Sequence, residues 1–260
     1  MLGWMRRRRV ARRSRELLPE PEDFERFCRS KSVLAALGPG ERERLRLRAA
    51  EVLASKEFHG AGGLKPEWSH CLPVAVHAAL PLLGLDPEWY RGFQSFILYE
   101  NPFEVEIEEI DDDGLEHRGR DLRAGEAWEL GPIVLSLADV ADSGHGQGYD
   151  VVIHELAHQL DQLNGEANGS PPLPEGIEQR TWSRVMEAAY QRLCRQIDAG
   201  AEPSIDSYAA ESPAEFFAVT SEYFFDAPQH LQAVEPEVYE LLVGFYRQRP
   251  DAPPARRFDV

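Results

Sequence analysis

Cysteine is scarce in this 260-residue chain: Cys28, Cys71 and Cys194 lie far apart, and no two form a Cys-x-x-Cys pair. That excludes a disulfide framework and a thiolate zinc site, and it fits a reducing compartment, with the cytoplasm as the expected location. Long apolar runs are also missing. Stretches such as 72–85 and 133–140 are interrupted or too short to span a bilayer, so no transmembrane helix is expected. Basic charge is confined to one place. Residues 1–15 hold seven arginines (Arg6, Arg7, Arg8, Arg9, Arg12, Arg13, Arg15) and no acid, and removing them from the net charge of −17 leaves −24 on the remainder. A body that acidic is a poor nucleic-acid binder. The basic stretch has no apolar segment behind it, which argues against a secretory signal. It reads as a solvated, disordered arm.

What is present is a globular composition, 43% hydrophobic and 28% charged, enough for one sizeable core. Residues 16–92 read as helical. A helix is expected over Asp23–Lys31, then a Gly38-Pro39-Gly40 break, then Glu41–Lys56 with Leu45, Ala49, Val52 and Leu53 on one face. Residues 70–84 form another apolar helix candidate, with Pro73 near its start and Pro81 near its end. His70 and His77 on this stretch read as packed core histidines.

From Phe93 the pattern turns β-like. Phe96–Tyr99 and Gly131–Ser136 are strand candidates, and Val105, Ile107 and Ile110 alternate with glutamates as in a half-exposed strand. Asp111-Asp112-Asp113-Gly114 reads as a solvated turn, because its acids lack the spacing of a calcium loop. The fold class is therefore α+β, mainly helical, with a small sheet. Residues 93–250 form the expected catalytic core and 251–260 a tail.

The chemistry concentrates at Val151–Leu160, which holds His154-Glu155-Leu156-Ala157-His158. On a helix, i and i+4 side chains share one face, so two imidazoles can take two corners of a zinc tetrahedron. Glu155 stands beside them where a general base is needed. Val152, Ile153, Leu156, Leu160 and Leu163 mark the helix as buried, and burying two imidazoles and a carboxylate costs several kcal/mol unless a cation compensates them. Before this helix, Ser143–Asp150 carries three alternating glycines without a Gly-Lys-Ser/Thr, so it reads as a flexible lip. Asp150 is its candidate N-cap and His145 a solvent-loop histidine.

A third ligand must come from elsewhere, since Asp161 and Asn164 occupy the places of His-x-x-Gly-x-x-His continuations. Glu211, Glu215 and Glu222 are candidates by spacing. Ser212-Pro213 looks like a helix start, which gives Glu215 a rival role as a capping-box residue, yet Phe216, Phe217, Val219, Tyr223, Phe224 and Phe225 make that helix strongly apolar.

Together, Gly131–Ser136, Val151–Asp161, Asp206-Ser207-Tyr208-Ala209-Ala210, Ser212–Val219 and Ser221–Phe225 resemble the Mlc titration factor A family over about residues 20–250. The resemblance implies a bacterial zinc-dependent peptidase with a zincin-like core similar to that of anthrax lethal factor. It implies His154, His158 and Glu215 as zinc ligands, Glu155 as catalytic base and Tyr208 pointing into the site. It places the chain among His-Glu-x-x-His-plus-Glu metallopeptidases acting on peptide or protein substrates, aminopeptidase and endopeptidase both remaining open. Members of the family are also associated with binding a transcriptional repressor, which is the alternative reading. Tyr208 is suited to donate to an oxyanion. The Ile133–Leu137 strand is suited to pair with an extended substrate, and Asp161 to orient an imidazole.

Overall fold

Proline sets several of the helix starts in the computed structural model, which describes residues 2–101, 103–110, 116–123, 125–127 and 131–258. In chain order it contains α1 (Leu2–Glu16), α2 (Pro21–Ser30), α3 (Ser32–Ala35), α4 (Pro39–Ser55), β1 (Glu57–Gly60), α5 (Trp68–Ala79), β2 (Ser95–Tyr99), β3 (Phe103–Ile110), β4 (Glu116–Arg123), β5 (Gly125–Ala127) and β6 (Ile133–Ser136). There follow α6 (Leu137–Asp142), α7 (Val151–Asp161), α8 (Gln179–Asp198), α9 (Pro213–Asp226), α10 (Pro228–Val234) and α11 (Pro236–Tyr246). Pro21, Pro39, Pro213, Pro228 and Pro236 each open a helix, where a fixed φ helps and a missing N–H costs nothing.

The sheet runs β1-β2-β6-β5, with the first three strands parallel and β5 antiparallel to β6. β6 is wholly buried, as expected for a strand covered on both faces. Strands β3 and β4 form a separate antiparallel hairpin with Phe103 opposite Arg123. The Asp111–Gly114 turn lies outside the described residues. β1 and β5 carry too little apolar pattern to be read from the chain. β5 also corrects one expectation: β6 is paired on both edges, so a substrate strand cannot add to it, and the sheet ends instead at β5.

One hydrophobic core runs from Phe24 to Tyr246. Its densest part is aromatic, with Trp182 against Phe217 and Phe245, and Phe224 stacked on Tyr246 at 5.4 Å. Helices α7 and α9 lie against each other within it. Residues 2–15, within the stretch expected as a disordered arm, are helical instead. Alanine and arginine are strong helix formers, and Val10, Ser14 and Leu17 recur at i, i+4, i+7 as a half-buried face toward α4. At the other end, Arg257 is buried with its Nε 3.2 Å from Glu41 Oε1. Among the described residues, no helix is long and apolar enough to cross a membrane.

Candidate metal centre

Helix α7 starts where Asp150 caps it, its Oδ1 accepting the Ile153 N–H at 3.1 Å. Burial of Val152, Ile153, Leu156 and Leu160 fixes the rotation of the helix. His154 and His158 are left one turn apart, with their Nε2 atoms 3.2 Å from each other. Glu215 Oε2, in the first turn of α9, is 3.1 Å from His154 Nε2 and 3.4 Å from His158 Nε2. A tetrahedral zinc with arms of about 2.0–2.1 Å has edges of about 3.3–3.4 Å. The three atoms therefore stand close to the corners of one face of such a tetrahedron. Glu215 Oε2 also accepts no hydrogen bond of good geometry from the described residues. Two imidazoles and a carboxylate make a donor set suited to zinc, so the residues fit the ion.

The three glutamates that spacing left open are separated by the fold. Glu211 is exposed beyond the end of the 3-10 turn Ser207–Ala210. Ser212 caps α9 by accepting the Glu215 N–H at 3.1 Å, while the Glu215 side chain turns to the histidines. Glu222, two turns along α9, reaches His154 from the opposite side. Its Oε1 is 2.7 Å from His154 Nδ1, and its Oε2 accepts the Asp150 N–H at 2.7 Å. Glu222 thus orients the His154 imidazole, a kind of role for which Asp161 was the candidate by spacing.

Asp161 does something else. Its carboxylate accepts the N–H groups of Asn168 (2.7 Å), Gly169 (2.6 Å) and Ser170 (2.8 Å), because the chain reverses after Gly165 and folds back over the helix end. Asp226 does the same for the glycine loop before α7. It accepts N–H groups from Gly146, Gln147 and Gly148 at 2.8 Å and from Tyr149 at 3.3 Å. The loop expected as a flexible lip is a closed nest around an internal anion. Gly148 illustrates the fit: its φ is +82°, and a Cβ there would stand 2.5 Å from the Tyr223 ring.

The isolated histidines keep structural roles. His77 is buried with Nδ1 2.5 Å from Asp150 Oδ2, and His70 accepts the Glu67 N–H at 3.1 Å. His145 is exposed with Nε2 3.1 Å from Lys31 Nζ, and the buried Lys31 donates to Ser143 O at 2.7 Å. Tyr208 belongs to the Ser207–Ala210 turn, started by Asp206, which accepts the Tyr208 N–H at 2.9 Å. Its ring is exposed, 6.0 Å from the His154 ring.

The electrostatics favour positive charge at this centre. Burial alone would hold the His154 imidazole down, but the charge of Glu222, contacts with Glu215 and Glu222, and the charge of Glu155 hold it well above the ordinary value. Burial opposes ionisation of Glu215, yet His154 and His158 pull its carboxyl below the carboxylate range. Burial pushes Glu222 up. An imidazole between two carboxylates retains a proton that a divalent cation would replace. Glu155, next to His154, is buried at 4% exposure.

A mainly helical α+β fold with this arrangement on its central helix is a zincin-like metallopeptidase fold. A model of the family described as glucose-regulated metallo-peptidase M90 matches residues 2–247. The chain is 39% identical over 220 residues to Mlc titration factor A of Klebsiella pneumoniae (strain 342), covering 84% of this chain and 83% of that one. It is 40% identical over 221 residues to Mlc titration factor A of Yersinia pestis (strain Pestoides F), covering 84% and 82%. This chain belongs to the M90 metallopeptidase family, and that membership implies a metal cofactor. The family match begins at residue 2, so it takes in the arginine-rich helix that the sequence motifs had left outside.

Proposed function

We propose that the chain is a zinc-dependent peptidase, with His154, His158 and Glu215 as ligands. The triangle of donor atoms, with edges of 3.1, 3.2 and 3.4 Å, carries this reading. Bound zinc would supply Lewis-acid polarisation and bring the pKa of a water toward about 7. Glu155 accepts the proton of the attacking water and delivers it to the leaving amine nitrogen. Tyr208, its ring 6.0 Å from that of His154, donates its hydroxyl to the tetrahedral oxyanion, where one donor is worth about 2.7–4 kcal/mol. Glu222 holds the His154 ring by Nδ1 and thereby aims Nε2. The free cysteines Cys28, Cys71 and Cys194 support a reducing, cytoplasmic setting.

The relatives' name, Mlc titration factor A, supports a second reading in which this chain binds a repressor protein and hydrolysis is incidental. The test is zinc content and cleavage of free and N-terminally blocked peptides for wild type, Glu215→Ala and Glu155→Gln. Hydrolysis requires near-stoichiometric zinc in wild type, marked zinc loss in Glu215→Ala, and retained zinc with lost cleavage in Glu155→Gln. Cleavage that survives Glu155→Gln would remove Glu155 as the base. Repressor capture by both wild type and the inactive variant would favour the second reading.

A further inference from the structure

Helix α1 carries a concentration of positive charge at the surface. Arg7, Arg8, Arg9, Arg12, Arg13 and Arg15 are all exposed. Arg7 reaches Glu88 at 3.3 Å and Arg12 reaches Glu16 at 3.8 Å, both at the surface, whereas Arg9, Arg13 and Arg15 meet no carboxylate among the described residues. Like charges one turn apart, as at Arg9 and Arg13, destabilise a helix. Arg7 lines the edge of the seat, while Arg9, Arg12, Arg13 and Arg15 stay exposed. The helix meets the body through Val10, Ser14 and Leu17, and a cavity of about 450 Å³ remains beneath it, lined in part by Val10, Ala11, Val52 and Leu82. On a helical wheel Arg12 and Arg15 lie opposite that inner face with Arg9 beside them, whereas Arg13 lies at its flank. The result is an outward basic ridge on an otherwise acidic protein.

We propose that α1 is a docking surface for an anionic phospholipid bilayer. Its sequence begins with Leu2, Trp4 and Met5 ahead of the arginines, the apolar-plus-basic composition of helices that lie in a membrane interface. A flat bilayer can be touched by one helix alone. Because a helix is about 10 Å across and screening at physiological salt acts over about 8 Å, α1 keeps the body, with its charge of −24, out of range of lipid repulsion. A nucleic acid would instead need a wider basic surface, which that body lacks. The proposal is independent of zinc and of peptide hydrolysis.

Cosedimentation of the full chain with phosphatidylglycerol/phosphatidylcholine vesicles tests it, with pure phosphatidylcholine vesicles and a DNA duplex as comparisons at about 0.15 M salt. Wild type should pellet with the anionic vesicles only, and less as salt rises. Each arginine is worth roughly five-fold at such a surface, so Arg9→Gln/Arg12→Gln/Arg15→Gln should weaken binding on the order of a hundred-fold. The corresponding triple change to Glu should abolish it, and unchanged circular dichroism and zinc content of the Gln variant exclude misfolding. Absence of vesicle binding by wild type, equal binding by the folded Gln variant, or preference for the duplex over the vesicles would each overturn the proposal.

Discussion

Replacing Glu222 with Gln keeps the shape of the side chain but removes its ability to accept at both oxygens. In the wild type one oxygen faces His154 Nδ1 at 2.7 Å and the other takes the Asp150 N–H at 2.7 Å. A glutamine amide can accept only one of these. Its NH₂ group then confronts either the imidazole N–H or the helix-capping backbone N–H, donor against donor. Glu222 is 5% exposed, so water does not fill the gap. A buried donor left unsatisfied costs about 1–3 kcal/mol, and loss of the carboxylate that orients a metal-binding imidazole costs about 10–100-fold in metal affinity, about 1.4–2.8 kcal/mol. Chelator competition with a chromogenic zinc ligand should show that drop for Glu222→Gln and a larger one for Glu215→Gln. Thermal melting of the metal-free proteins should separately show the stability loss. A zinc affinity for Glu222→Gln within two-fold of wild type, where Glu215→Gln is impaired, would refute the reasoning that Glu222 aims His154.

Tyr208→Phe should lower kcat about 10²–10³-fold with little change in KM, because its hydroxyl is asked to act only on the oxyanion. Equal losses in both constants would assign it to substrate binding. Asp226→Ala leaves four backbone N–H groups without their carboxylate, and a loss of at least about 3 kcal/mol is expected in denaturant melts. The metal-free protein should have a particular pH profile. His154 is raised above 6.5, so its contribution is complete below about that pH and is lost as pH climbs through the raised value. Glu215 is lowered below 4.5, so its contribution is complete above that pH and is lost as pH falls through the lowered value. Melting temperature without metal should therefore peak between these limits. Zinc affinity should instead rise with pH as His154 gives up its proton, measurable by titration calorimetry in two buffers. A metal-free melting temperature that climbs steadily above pH 6.5 would contradict this.

The parts of the site that sequence made legible are those governed by local chemistry. Two histidines four apart, an aspartate before an apolar helix, and Ser-Pro before another are short-range signals, and both helices form as their residues suggest. The choice between Glu215 and Glu222 was not local. They lie seven residues apart on the same face of α9, and only the packing of α9 against α7 decides which meets Nε2 and which Nδ1. Asp161 and Asp226 were obscured for the same reason, since their partners are backbone N–H groups of loops whose path depends on reversals at glycine. The alternating glycines before α7 were visible, and a nest of N–H groups was a sharper reading of them than a lip. The arginine run misled because charge alone suggested disorder, whereas Val10, Ser14 and Leu17 supply a helical seat.

Glu215, Glu222 and Asp226 stand at i, i+7 and i+11 of one helix, within about 20° of a common line. One inserted residue between Glu215 and Glu222 would rotate everything beyond it by about 100°. The carboxylate at the metal corner, the one behind His154 and the one inside the glycine loop would then no longer align. Helix α9 is a ruler whose length is under constraint independently of which apolar side chains fill the core around it. Single-residue insertions and deletions between 215 and 226 should be lost together, as a block, in a mutational scan, whereas volume-conserving exchanges at the helix's buried back, such as Phe224→Leu, should cost stability without breaking that alignment.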